Sequence, residues 1–310
     1  MIYTVTLNPA LDKTVQVSEM TIDRVNRISS MRTDPGGKGI NVSKVIQKLG
    51  GHSIATGILG GSTGHRIQDA LQSMEIESDF LFADGETRTN LKIVDPVLHT
   101  NTDINEPGLT VSEELLQKLL ESLSKKLTSK DIVVLSGSLP KGAPRDTYKT
   151  WGMTCRKTGA KVILDADGEL LAAGLEASPY LIKPNNHEIS RLLGKELVTP
   201  QELCAAARSL MEQYSIEKAV VSMGSAGALY VTKERTLYAE GLKVTVGSTV
   251  GAGDSVVAAL AFAEERGLTL EETVRLSTAT GAANVMSSGT QAAEYDLIQS
   301  LLPQVVFHEL

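Results

Sequence analysis

From residue 111 onward the chain repeats one arrangement of apolar and polar positions. Val111, Leu115, Leu116, Leu119, Leu120, Leu123 and Leu127 recur at helical spacing, with Lys, Glu and Ser between them. That spacing predicts an amphipathic helix with one buried face. Residues 132–135 then form a short run of β-formers ending at Ser136-Gly137-Ser138. The same unit returns at 162–164, ending at Asp165, and at 180–182, ending at Lys183-Pro184-Asn185, with helical stretches between. Strands that are apolar throughout and alternate with helices predict a mainly parallel sheet covered on both faces. In such sheets ligands bind beyond the carboxyl ends of the strands. Asn8, Asp12, Ser136, Ser138, Asp165, Lys183, Asn185 and Glu188 gather at those ends. A further strand at 219–222 runs through Met223-Gly224-Ser225-Ala226-Gly227 into a hairpin-like strand at 228–231.

The first third of the chain is less regular. Residues 2–7 predict a strand that stops at Asn8-Pro9, which places the Asp12 carboxylate near its end. Residues 14–17 alternate and predict a more solvated strand. Asp34-Pro35-Gly36-Gly37-Lys38-Gly39-Ile40-Asn41 precedes Val42, Val45, Ile46 and Leu49 at helical spacing, so a glycine corner opens a helix there. A strand is expected at 53–59, a helix at 64–74 and another strand at 87–94. The tracts around 12–34 and 87–105 carry no helix of their own, and together predict a small β lid beside the core. No repeat or interdomain linker divides the chain, so residues 1–310 are expected to form one domain with that lid.

Near the end, Ser248-Thr249-Val250-Gly251-Ala252-Gly253-Asp254 leads into the apolar run 255–263. A small-residue turn opening a buried helix aims unpaired backbone N–H groups and the positive end of the helix dipole at one point, which suits an anion. Asp254 in its mouth can take a proton from an attacking hydroxyl; the plainer reading makes it a helix cap. Other sites have plain readings too. Arg88 could be a surface strand charge, Lys38 a solvated side chain, Glu188 a first-turn helix acid and Asn185 its cap.

Composition narrows the choice. The 310 residues are 42% hydrophobic and 22% charged, enough for a sizeable core. Thirty basic against 37 acidic residues give a net charge of −7, which argues against general nucleic-acid binding. The two cysteines, Cys155 and Cys204, lie far apart and suggest a reducing cytoplasm. No apolar run reaches the roughly 18 residues of a membrane span, and the start lacks the pattern of a signal peptide. Lys38 is followed by Gly39 rather than Ser or Thr, so the first glycine corner is not a P-loop, and no G-x-G-x-x-G turn follows the first strand.

Three landmarks stand in order: Gly36-Gly37-Lys38-Gly39-Ile40-Asn41, Asn185-Asn186-His187-Glu188, and Thr249-Val250-Gly251-Ala252-Gly253-Asp254. With them the chain resembles, over essentially its whole length, the PfkB (ribokinase-like) family of carbohydrate kinases. Thr6-Leu7-Asn8-Pro9-Ala10-Leu11-Asp12, Ile104-Asn105-Glu106-Pro107-Gly108 and Ser136-Gly137-Ser138-Leu139-Pro140 look like that family's hexose-phosphate branch. The resemblance implies a three-layer αβα sandwich with a mainly parallel central sheet and a small β-sheet lid. It implies transfer of phosphate from ATP to a ketohexose monophosphate, giving a 1,6-bisphosphate, with fructose 1-phosphate ahead of tagatose 6-phosphate. Asp254 would be the general base, and Gly251, Ala252 and Gly253 the anion hole. Asp12, Gly37, Lys38, Asn41, Arg88 and Ser138 would hold the sugar phosphate, with Arg88 and Lys38 as cations at its phosphate end. Lys183, Asn185, Ser222, Gly224 and Gly227 would lie along ATP, with Asn284 near the adenine. Asn185 and Glu188 match an N-x-x-E element that helps order Mg²⁺, through water. A homodimer through the lid is also expected.

Two other classes compete. A regulator that binds sugar phosphate and nucleotide without turnover would need no base, and Asp254 with its anion hole counts against it. A dinucleotide oxidoreductase lacks its fingerprint after the first strand.

Overall fold

The computed structural model describes residues 1–287 and 291–310. The chain opens with β1 (Ile2–Thr6), β2 (Ala10–Gln16) and β3 (Ser30–Gly36), followed by α1 (Lys38–Lys48). Next come β4 (Ser53–Gly60), α2 (Gly61–Ser73), β5 (Glu77–Ala83), β6 (Arg88–Asp95) and β7 (Thr100–Asn105). The regular part runs through α3 (Glu113–Ser124), β8 (Ile132–Ser136), α4 (Thr147–Lys157), β9 (Lys161–Asp165), α5 (Gly168–Leu175) and β10 (Leu181–Ile182). It continues with α6 (Asn186–Leu193), α7 (Pro200–Tyr214), β11 (Lys218–Ser222), β12 (Gly227–Thr232) and β13 (Thr236–Glu240). The end comprises α8 (Ala252–Arg266), α9 (Leu270–Met286), α10 (Tyr295–Leu301) and β14 (Phe307–Glu309).

Ten strands form one sheet in the order β14-β13-β12-β11-β10-β9-β8-β1-β4-β5. From β5 to β11 every neighbouring pair is parallel; β12, β13 and β14 add antiparallel strands at one edge. Side-chain alternation divides the core. Ile132 and Val134 of β8 pack with α1, α8 and α9, whereas Val133 and Leu135 pack with α3, α4 and α7. The helices start where the sequence supplies donors and acceptors. Ser112 caps α3, and Thr199 and Thr269 form capping boxes with Glu202 and Glu272. The apolar side chains expected on α3 are buried from Leu116 to Leu123, and each buried leucine contributes about 1.5–3 kcal/mol. This is the expected three-layer αβα sandwich.

β2, β3, β6 and β7 form a separate sheet in the order β3-β2-β6-β7. Here one expectation is corrected. The second strand begins at Ala10, not Thr14, so Asp12 lies inside a strand of the small sheet, within the tract expected to form the lid. Its backbone pairs with Asp34 on one side and Asn90 on the other, which fixes its direction. The strands β5, β13 and β14 carry no expectation from the sequence reading. β5 mixes Glu77, Ser78 and Asp79 with apolar residues because it is a sheet edge, half exposed. Among the described residues no helix is long and apolar enough to cross a membrane.

Candidate active site

A cavity of about 1740 Å³ lies between the carboxyl ends of the large sheet and one face of the small sheet. At its base is the turn that opens α8. Gly251 is the N-cap residue and has φ +79°, a left-handed conformation that glycine adopts without strain. Asp254 is therefore the third residue of the helix, and its side chain is not the cap. The carboxylate is 6% exposed, and Oδ2 accepts a 2.8 Å hydrogen bond from Asn41 Nδ2. Burial pushes the Asp254 carboxyl above its ordinary range; Lys38 pulls it back, Asp165 adds to the rise, and Asn41 and Lys183 oppose it. The turn itself is locked: Ser255 Oγ donates to Gly251 O at 2.8 Å and Asn284 Nδ2 donates to Val250 O at 3.4 Å. The Ala252 N–H makes a long 3.4 Å bond to Thr249 O, so the first turn's best available donors are those of Gly251 and Gly253.

The first glycine corner brings Asn41 to this point. A Cβ on Gly36 would lie 2.1 Å from Asp12 Oδ2, so a side chain there would push the Asp12 carboxylate out of its present place. Lys38, first residue of α1, extends its ammonium to Asp165 Oδ2 at 3.1 Å, and Lys183 reaches Asp165 Oδ1 at 3.1 Å. Lys183 and Lys38 hold the Asp165 carboxyl below its ordinary range although burial acts to raise it.

The small sheet forms the opposite wall. Arg88, Asn90 and Lys92 alternate along β6 and all line the cavity, with Asp12 and Thr14 of β2 and Asp103 and Asn105 of β7 beside them. Arg88 donates from one terminal nitrogen to Asn8 O and from the other to Glu106 O, each at 3.1 Å. Asn8 in turn donates to Ser138 Oγ at 3.3 Å. Asp12 accepts from Asn90 Nδ2 at 3.0 Å; burial raises its carboxyl, while Asn90, Lys44 and Arg88 favour the charge. Thr87 anchors the start of β6 to the core, accepting from Gly60 N at 2.8 Å through its hydroxyl.

The remaining walls separate by chemistry. Ser222, Gly224 and Gly227 line one side with Leu242, Val244, Val256 and Val285. Asn185 and Glu188 stand at the start of α6 in a capping box: Asn185 Oδ1 accepts from Glu188 N and Glu188 Oε2 from Asn185 N, both at 2.8 Å. The plain helix-start reading of this pair is thus present in full, and it leaves the other Glu188 oxygen outside the box. Among the described residues no group of three or more His, Cys, Asp or Glu side chains is arranged to hold a metal by itself.

The structure brings together Asp254, Gly251, Gly253, Asp12, Gly37, Lys38, Asn41, Arg88, Ser138, Lys183, Asn185, Glu188, Ser222, Gly224 and Gly227 on one cavity. Two expectations change. Lys38 does not stand with Arg88: its charge partners are Asp165, Asp254 and Glu188, while those of Arg88 are Asp12 and Glu106. Asn284 does not line the cavity. Thr278, Gly281, Ala282 and Val285 form the exposed face of α9 there, and Asn284 is turned about 100° away, onto the Gly251 turn. The sequence reading gave no role to Asn90 or Lys92; their period-2 alternation with Arg88 in an expected strand was the available signal.

Four buried side-chain atoms among the described residues have no hydrogen-bond partner: Asn41 Oδ1, Arg88 Nε, Asn90 Oδ1 and Ser136 Oγ. All four residues line this one cavity. Buried polar atoms are normally satisfied, so their convergence marks the place of a polar ligand.

An αβα core with a helix N-terminus, a buried carboxylate and a polar cleft at its strand ends suits transfer of a phosphoryl group to an alcohol. Residues 5–296 match the pfkB family of carbohydrate kinases, and the chain belongs to that family. It is 39% identical over 305 residues to a 1-phosphofructokinase of Bacillus subtilis, covering 98% of both chains. To a 1-phosphofructokinase of Xanthomonas campestris it is 40% identical over 281 residues, covering 89% of this chain and 88% of the relative. Among solved structures it is similar to phosphofructokinase-2 from Escherichia coli in complex with potassium, with a TM-score of 0.93 and 32% identity over 98% of each chain.

Proposed function

We propose that this protein transfers the γ-phosphoryl group of ATP to the free primary hydroxyl of a ketohexose monophosphate. The best substrate is fructose 1-phosphate and the product fructose 1,6-bisphosphate; tagatose 6-phosphate ranks second. The relatives named 1-phosphofructokinase support the choice of sugar. The observation that carries the reaction is Asp254, a buried carboxylate in the first turn of α8, bonded to Asn41 and facing a cavity that gathers all four orphaned polar atoms.

Arg88, with Asn90 and Lys92 on the same face of β6, receives the sugar's phosphate. Asp12, Asn41 and Ser138 meet the ring hydroxyls. The free hydroxyl then lies against Asp254, which accepts its proton as the oxygen attacks the γ-phosphorus and the bond to ADP breaks. Charge that builds on the transferring group meets the Gly251 and Gly253 N–H groups and the ammoniums of Lys38 and Lys183. ATP lies along Ser222–Gly227, its base against the apolar wall of Val244, Val256, Ala282 and Val285. The Glu188 oxygen left outside the capping box suits a water-held Mg²⁺, with Asn185 beside it; the ion, when bound, neutralises charge on the β- and γ-phosphates. The small sheet acts as a lid that excludes water, and a second copy of the chain pairs with it.

The test is kcat/KM for fructose 1-phosphate, tagatose 6-phosphate and fructose 6-phosphate, read from ADP release. A hydroxyl on the wrong ring face leaves a buried partner unpaired, which costs about 1–3 kcal/mol, or roughly 10–100-fold in preference. Fructose 1-phosphate should give the highest value. A higher value for tagatose 6-phosphate would overturn the choice of sugar, and no turnover of any of the three would overturn the reaction.

A further inference from the structure

Asp165 ends β9 at 2% exposure and takes no part in the chemistry above. Each of its oxygens is committed to a different lysine, Oδ2 to Lys38 and Oδ1 to Lys183, both at 3.1 Å. The lysines come from separate places, the start of α1 and the corner after β10. Both line the cavity, whereas Asp165 does not; it sits behind them. The Lys183 ammonium lies 3.4 Å from where a Cβ on Gly253 would be, against the first turn of α8. Lys38 also senses Asp254 and Glu188. A lysine head on a flexible four-carbon stem is poorly aimed on its own, and one shared carboxylate fixes two of them at once.

We infer that Asp165 is a positioning residue for phosphoryl transfer: it yokes Lys38 and Lys183 so that their ammoniums flank the path of the γ-phosphoryl group, without itself touching substrate. The two ammoniums and their shared carboxylate together carry a charge of +1, which Asp254 and Glu188 beside them offset, so it is the placement of the ammoniums against Gly253, not an overall positive charge, that meets a phosphate. The Glu188, Asp254 and Asn41 side chains surround the same point from α6, α8 and α1. The inference rests on the kinase reading of this site.

Asp165→Asn tests it. An asparagine keeps the shape but offers one oxygen, so one lysine meets an N–H₂ group and is released. The expected result with ATP and fructose 1-phosphate is a kcat at least about tenfold lower and a sugar-phosphate KM within about threefold of wild type. A purely structural ion pair would lower the melting temperature and leave kcat per folded molecule unchanged. A kcat within twofold of wild type, or a loss confined to the sugar KM, would overturn the inference. If Asp165→Asn does not fold, Lys38→Met and Lys183→Met carry the test, since each leaves Asp165 one partner. Both should lose kcat at least about tenfold with the sugar KM kept; wild-type kcat in either removes a lysine from the yoke and overturns the proposal. Wild-type protein inactive on every ketohexose phosphate would instead overturn the kinase reading, and the inference with it.

Discussion

Asn41 Nδ2 donates a 2.8 Å hydrogen bond to Asp254 Oδ2, joining two buried residues 213 positions apart in the chain. The bond ties the helix after the first glycine corner to the helix after the last one, and holds the carboxylate in one orientation. It also explains why the Asn41 Oδ1 atom is left over: the amide can turn only one end to Asp254, and the other awaits a donor. Asp254→Asn keeps the shape of the site and removes the base. Turnover should fall by about 10²–10⁴-fold, with ATP and sugar phosphate still bound in calorimetric titration. Near-wild-type turnover would take the base role away from Asp254.

The same substitution should stabilise the protein. Burial lifts the Asp254 carboxyl above its ordinary range, with Lys38 the main opposing influence, so the ionised form is disfavoured in the fold. For a raised carboxyl the stabilising contribution is fully present below the unfolded-state pKa, near 4, and is lost as pH rises through the folded-state value. Asp254→Asn escapes that loss. Its melting temperature should exceed that of wild type at pH 7–8, and the two should converge toward pH 4. A variant that melts lower than wild type at pH 8 would contradict the sign.

Glu188→Gln separates metal binding from helix capping. Glutamine still reaches back to the Asn185 N–H, because a capping box accepts either residue at this position. Stability should therefore change little while the Mg²⁺ concentration needed for half-maximal rate rises. The sugar KM should move less than the metal requirement. An unchanged metal dependence would leave Glu188 as a capping residue alone.

Much of this site was legible because its residues sit at strand ends and helix starts, where sequence signals are strongest. The α3 leucines and the Gly251 turn needed only periodicity and glycine chemistry to read. Arg88 was found through resemblance, while Asn90 and Lys92 beside it passed unassigned although they share its face. Edge strands were hardest: β13 and β14 are short, and β14 joins the sheet only by returning across the chain to β13. The start of β2 was read too late because Ala10 and Leu11 directly follow the Asn8-Pro9 turn, and only pairing with Asn90 and Asp34 shows Asp12 inside a strand. The partners of Lys38 and Asn284, Asp165 and the Gly251 turn, could not be read from the sequence, since direction on a helix depends on a packing that spacing does not contain.

Asn284 gives a prediction from its corrected place. It supports the Gly251 turn through Val250 O and does not line the cavity. Asn284→Ala should loosen the turn, lowering kcat severalfold and stability by about 1 kcal/mol, the usual worth of one such hydrogen bond. The preference for ATP over GTP should stay within twofold of wild type. A marked change in nucleotide preference with an unchanged kcat would return Asn284 to the adenine.

The small sheet carries the last prediction. Its cavity face is polar, yet Ile22, Val25, Ile28, Met31 and Ile104, on its strands and the loop between β2 and β3, are 53–89% exposed. β7 is exposed along its whole length, and the outer part of β3 is open as well, so both edges of this sheet present unpaired backbone. Five large apolar side chains on a sheet with open edges are costly in water and favour a second copy of the same surface, because a two-fold interface lets one patch satisfy itself. The chain should sediment as a dimer at micromolar concentration. Met31→Glu with Ile104→Glu places like charges in the interface and should shift the equilibrium to monomer. The wall that carries Arg88, Asn90 and Lys92 is the other face of that sheet, so the double variant should also raise the sugar-phosphate KM more than the ATP KM. A wild-type chain that sediments as a monomer, or a monomeric double variant with unchanged KM values, would separate the apolar face from assembly in the first case and from substrate binding in the second.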